Sequence, residues 1–108
     1  MPVNSPILDV KILGTKSRQR YVVRRLIVAA EAALRREYPE LEVSITEIAA
    51  QDQIEVYTSV LIAPGLVINE KLVYDLWIPS KEQVIGWLRD ALQEQLVAGE
   101  LSNIRSLS

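Results

Sequence analysis

The chain has 108 residues, 49% of them apolar and 24% charged, which is room for one soluble globular domain burying roughly two thirds of its unfolded surface. It contains no cysteine and no histidine, so thiol–disulfide chemistry is excluded and the usual zinc, haem and iron–sulfur ligands are missing; no cofactor and no metal is expected. A net charge of −2 argues against nucleic acid as a partner.

The longest apolar stretches, such as Val60 to Ile68, fall far short of the ~18 to 20 residues that cross a bilayer. The start, MPVNSPILDVKI, lacks the basic flank, apolar run and cleavage site of a secretory signal, so a cytoplasmic location is expected, with no membrane partner. Charge is unevenly distributed. The decade Lys16 to Arg25 holds five basic residues and no acid, leaving −7 for the remainder.

Ile7 to Leu13 alternates apolar and polar residues around Asp9 and Lys11, which predicts a strand. Gly14 and Thr15 break it, and Thr15 is a candidate helix cap. Val22, Val23, Leu26, Ile27, Ala30, Ala33 and Leu34 then recur at helical spacing to about Tyr38, before Pro39. Leu41, Val43 and Ile45 alternate with polar residues as a second strand, parallel to the first across the helix.

Ile48 to Tyr57 reads as a short, weakly periodic helix. Leu66 to Ile68 and Lys71 to Ile78 read as an antiparallel hairpin with Asn69-Glu70 at its turn. Ser80 and Gln83 have the spacing of a capping box, and the helix that follows is expected to bury Val84, Ile85, Trp87, Leu88, Leu92 and Leu96. Gly99 is the expected stop, with a frayed end from Ser102 to Ser108. The order is βαβαββα, an α/β class with a central four-stranded mixed sheet flanked by helices.

Three stretches resemble small single-domain thioredoxins of archaea and bacteria, over about Lys11 to Leu92. Leu13-Gly14-Thr15 with Lys16-Ser17-Arg18-Gln19-Arg20 is similar to that family's Leu-Gly-Thr strand end and Gly-Cys-x-x-Cys helix start, with Ser17 and Arg20 in the two cysteine positions. Ala63-Pro64-Gly65-Leu66-Val67-Ile68-Asn69 matches the Thr-Pro and Ile-Asn strand, and Ile78-Pro79-Ser80-Lys81-Glu82 with Trp87-Leu88 matches Val-Pro-Ser-Lys-Glu and the later Trp-Leu. The resemblance implies one thioredoxin-like domain across residues 1–108, its core at about 7–97.

It also implies that Pro64 is a cis-proline beside the start of the first helix, where thioredoxins hold an extended peptide segment. Ser17 would keep that helix-end geometry without a thiol, and Arg20 cannot form a resolving bond. A serine hydroxyl with no histidine or other evident base is a poor nucleophile, so no catalytic residue is expected.

Exposed N–H groups at a helix start favour anions, and Lys16, Arg18 and Arg20 surround Ser17 there. Lys16, Arg20 and Arg24 share a four-residue step, so an anion or acidic surface is a candidate ligand, against a solvated or internally paired helix face. Asp9, Glu47, Asp52, Glu55 and Asp75 are scattered without the pairing that acid–base chemistry needs. Tyr74 and Trp77 on the hairpin's outer strand are a candidate interface.

The leading expectation is therefore a redox-inactive binding module for a peptide or acidic protein near Ser17, Arg20, Ala63 and Pro64. The alternative is a small-anion or thiol-metabolite, glutathione-like, binding protein or enzyme that uses the helix start. A homodimer through the hairpin edge is the third reading.

Overall fold

The structure, a computed structural model, describes residues 7–59, 63–73 and 78–107. Four strands and three helices follow in the order β1 (Ile7–Leu13), α1 (Ser17–Leu34), β2 (Glu42–Ile48), α2 (Gln51–Ile54), β3 (Gly65–Ile68), β4 (Lys71–Val73) and α3 (Lys81–Leu107). The fold is mixed α/β. The sheet order is β2-β1-β3-β4, with β2 parallel to β1 and both β3 and β4 antiparallel to their neighbours.

Strand alternation sends Leu8, Val10 and Ile12 of β1 to one face, where they meet Leu66 and Ile68 of β3. Val23, Ile27, Ala30 and Leu34 of α1 and Val84, Leu88 and Leu92 of α3 close over them. Each such side chain contributes about 1.5 to 3 kcal/mol by leaving water, so this layer dominates stability. The opposite face carries a smaller cluster, Leu13, Val67 and Ile54, flanked by Ile48, Tyr57 and Leu72. One turn of α2 thus covers only part of that face, and Asp9, Ser44 and Thr46 remain beside it.

The Asn69-Glu70 turn forms as expected. Both residues have positive φ, 49° and 68°, the signature of a two-residue hairpin turn that twists with its strands. Asn69 also binds Asp9, its N–H donating to the Asp9 carbonyl at 2.8 Å and its Oδ1 accepting from the Asp9 N–H at 3.0 Å. The turn is thereby stitched to the central strand.

Several boundaries differ from expectation. Lys16, not Thr15, is the N-cap of α1, and its side chain makes no capping bond. The helix ends at Leu34 because Arg35 to Tyr38 tighten into turns, with Tyr38 N–H still donating to the Leu34 carbonyl. The short α2 is one turn instead of ten residues, since β2 extends to Ile48. The β4 strand covers Lys71–Val73, and Ile78 lies outside it; Tyr74 and Trp77 lie outside the described residues. Helix α3 passes Gly99 and runs to Leu107, so the stop and the frayed end do not hold. A lone glycine costs only about 1 kcal/mol in a helix, and Ala98, Glu100 and Leu101 around it are good helix formers.

The α3 side chains from Gln93 to Ala98 are exposed. Leu96, expected in the buried face, is 49% exposed, although Gln95 beside it still accepts from Asn69 Nδ2 at 3.2 Å. Trp87 and Ile85 are partly buried against the main core. On the other edge, Glu31 and Arg35 close off β2: the Val43 N–H donates to Glu31 Oε2 at 3.1 Å, and Arg35 Nε donates to the Leu41 carbonyl at 3.0 Å. Two backbone groups at that edge are thus satisfied by side chains and not left for another strand.

Candidate functional site

The β1–α1 junction brings Gly14, Arg20 and Pro64 together. A Cβ built on Gly14 would lie 3.4 Å from Arg20 Cγ and 3.8 Å from Pro64 Cβ, so proline and arginine flank the same backbone position. Pro64 is buried, immediately before β3, and Ala63 is half-buried. Ser17 begins α1 and is exposed, as are Lys16 and Arg18. Of the residues expected at this corner, Arg20 and Pro64 are the two that meet across Gly14, and one expectation is corrected. Among the described residues no peptide bond is cis, so Ala63–Pro64 is trans. Trans is the cheaper isomer by about 0.5 to 1 kcal/mol for any X–Pro bond, and Pro64 reaches Gly14 in that form.

Arg20 does not point into open solvent. Its Nη1 donates to the Gly14 carbonyl at 2.9 Å and its Nε to Glu47 Oε1 at 2.9 Å, leaving the side chain 14% exposed. Arg24, one turn on, donates from Nε to the other carboxylate oxygen of Glu47 at 2.8 Å. A single carboxylate thus holds two guanidinium groups, and those hydrogen bonds, Arg24's first, hold the Glu47 carboxyl below its ordinary range. Three of the five basic residues, Lys16, Arg18 and Arg25, have no ion-pair partner among the described residues.

The stripe expected from Lys16, Arg20 and Arg24 is therefore divided. Arg20 and Arg24 are committed to Glu47, and only Lys16 remains open at the helix start. Sequence reasoning set Glu47 aside as one of several scattered acids. Its signal was parity: Val43, Ile45 and Glu47 alternate to the same side of β2, the side that faces α1, so Glu47 had to meet whatever α1 presents there.

A second cluster lies on the opposite sheet face. Lys11 Nζ donates to Tyr57 Oη at 3.0 Å and also binds Glu70, with Asp9 Oδ2 at 3.6 Å. Those bonds, Glu70's first, hold the Lys11 ammonium well above the ordinary lysine range, so it stays a cation and supplies no base. Tyr57 anchors this cluster. Among the described residues no group of three or more acids could hold a metal ion, and no helix is long and apolar enough to cross a membrane.

Comparisons with protein-family models, with curated proteins and with solved structures found no match to the chain. The geometry of the corner and of the surrounding surface is what bears on function.

Proposed function

We propose that the chain is a cytoplasmic thioredoxin-like domain without redox chemistry, whose role is to bind an extended peptide segment of a protein partner at the corner formed by Gly14, Ser17, Ala63 and Pro64. The observation that carries this reading is the packing of Pro64 against Gly14 at the start of α1. Support for the thioredoxin-like part comes from the sheet order β2-β1-β3-β4, its parallel and antiparallel pairs, and helices α1 and α3 on one face. The trans Ala63–Pro64 bond departs from the family's pattern at the position that would hold the peptide.

Peptide binding is favoured over the small-anion alternative because Arg20 and Arg24 already have a carboxylate between them. To reach Arg20 or Arg24, a free phosphate or glutathione carboxylate would have to displace Glu47, which is tethered to the same chain. An extended peptide asks less of the arginines. It needs an open helix start, which the exposed Ser17 supplies, beside the half-buried Ala63.

Two experiments test the two halves separately. In Ser17→Cys/Arg20→Cys the thiols sit three residues apart at a helix start, and an intramolecular disulfide reducible by dithiothreitol is expected; two persistent free thiols under oxidising conditions would refute the thioredoxin-like placement. For binding, Ser17→Trp fills the corner from an exposed position without touching the core. Affinity capture from native extract should lose its partner with this variant, and unchanged capture would refute binding at the corner.

A further inference from the structure

The outer face of α1 has a composition that a solvated helix face does not need. With 3.6 residues per turn, Arg18, Tyr21, Val22, Arg25, Val28 and Ala32 fall within ~60° of one another's mean direction, opposite the buried Val23, Ile27, Ala30 and Leu34. Tyr21 is 58% exposed, Val28 50% and Val22 38%. No acid stands on this stripe, and neither Arg18 nor Arg25 has a carboxylate partner among the described residues. Arg25 instead lies over the Tyr21 ring, 5.8 Å from its centroid. The face is apolar in its middle and cationic at two points seven residues apart, a separation of ~10.5 Å along the axis.

We propose that this face docks an acidic amphipathic helix of another protein. Tyr21, Val22 and Val28 would be covered by the partner's apolar residues, and Arg18 and Arg25 would meet carboxylates two turns apart on the partner helix. Charge decides the class of occupant. A second copy of the chain is disfavoured, because pairing this stripe with itself brings arginines together and offers no acid to either. An anionic bilayer is disfavoured by the net charge of −2, which lies on the remainder of the molecule. The stacking of Arg25 on Tyr21 presents the ring and the guanidinium together and reduces the side-chain ordering left for binding. This face is separate from the Pro64 corner and does not depend on the peptide-binding reading.

The test uses a fluorescein-labelled 21-residue helical peptide with a leucine stripe flanked by glutamates seven residues apart, and the same peptide with glutamines in their place. Fluorescence anisotropy at low salt should show the glutamate peptide binding at least tenfold more tightly than the glutamine peptide, with the difference shrinking at 0.5 M salt. Arg18→Glu/Arg25→Glu should weaken the glutamate peptide at least tenfold, while Ser17→Trp leaves it unchanged. Arg18→Gln/Arg25→Gln, which only neutralises the two sites, provides the same readout if the charge reversal perturbs folding by circular dichroism. Equal affinity for the two peptides, or no binding of either, overturns the proposal. So does binding to phosphatidylserine vesicles without binding to the glutamate peptide. Loss in Ser17→Trp with retention in the arginine variants overturns it too, by moving the acidic contact to the Pro64 corner.

Discussion

Arg20 and Glu47 form a 2.9 Å contact that ties the first turns of α1 to the far end of β2. The same arginine holds the Gly14 carbonyl at 2.9 Å, so it spans the loop that separates β1 from its helix. Basic residues in the first turn of a helix oppose its dipole by ~0.3 to 1 kcal/mol each. Glu47 offsets that cost for Arg20 and, through its second oxygen, also pairs with Arg24 one turn on. Removing this carboxylate has two consequences that can be measured.

Glu47→Gln keeps the shape and deletes the charge. Pairs at this degree of exposure are worth about 0.2 to 1 kcal/mol, and two charge-assisted bonds are lost, so a destabilisation of about 1 kcal/mol is expected by urea denaturation. For a domain of this size that lowers Tm by about 4 to 8 °C. The same variant frees two guanidinium groups at the helix start, so inorganic phosphate should raise its Tm more than that of the wild type. A variant as stable as wild type and equally indifferent to phosphate would show that the bridge contributes nothing.

The pH dependence follows from the direction of the Glu47 shift. Its carboxyl is held below the ordinary range in the folded chain, so its contribution is fully present above the unfolded pKa and is lost as pH falls through the folded one. Wild type should therefore exceed Glu47→Gln in stability at pH 7, and the gap should close below about pH 4, near and under the ordinary glutamate pKa. Urea midpoints for both proteins at pH 7 and pH 3 check this. A gap that stays constant, or widens in acid, would contradict it.

Much of the fold was legible because hydrophobic period tracks burial. The alternation in Ile7–Leu13 and the spacing of Val23, Ile27, Ala30 and Leu34 each correspond to one buried face. The Asn69-Glu70 turn and the Ser80–Gln83 cap were visible for a different reason, since each is set by two adjacent or nearly adjacent residues. What failed depended on distant partners. Val22 and Leu96 fit the helical period of their neighbours yet are exposed, because the period marks a face and not how far its neighbours cover it. Lys16, Arg20 and Arg24 read as one stripe, and the pairing of β2 with β1 places Glu47 where it divides them.

Gly14 offers a test of the corner's tightness. It has no positive φ, and a Cβ there would meet Arg20 Cγ at 3.4 Å and Pro64 at 3.8 Å, which is ordinary van der Waals contact. Gly14→Ala should therefore be tolerated, and by restricting the unfolded chain it should add about 0.4 to 1 kcal/mol. Gly14→Leu has nowhere to place its branch without displacing Arg20 or Pro64, and should cost about 1 to 3 kcal/mol. Thermal melts of the two variants measure the difference; an alanine variant as impaired as the leucine one would mean that the backbone, not the space, requires glycine.

The start of α3 gives the last and simplest expectation. Ser80 N–H donates to Gln83 Oε1 at 2.9 Å, and Gln83 N–H donates to Ser80 Oγ at 3.1 Å, the reciprocal pair of a capping box. Without it, N–H groups in the first turn have only water as partner. Ser80→Ala removes the acceptor for Gln83 N–H and should cost about 1 kcal/mol, while Ser80→Gly, and Ser80→Asp, which restores an acceptor and complements the helix dipole, should cost only a few tenths or less. Because Val84 and Leu88 of the following turns are fully buried, the loss cannot be absorbed by fraying of the helix end and should appear in global unfolding. Equal midpoints for Ser80→Ala and Ser80→Asp in a urea titration would show that the cap is made in the structure but does not contribute to stability.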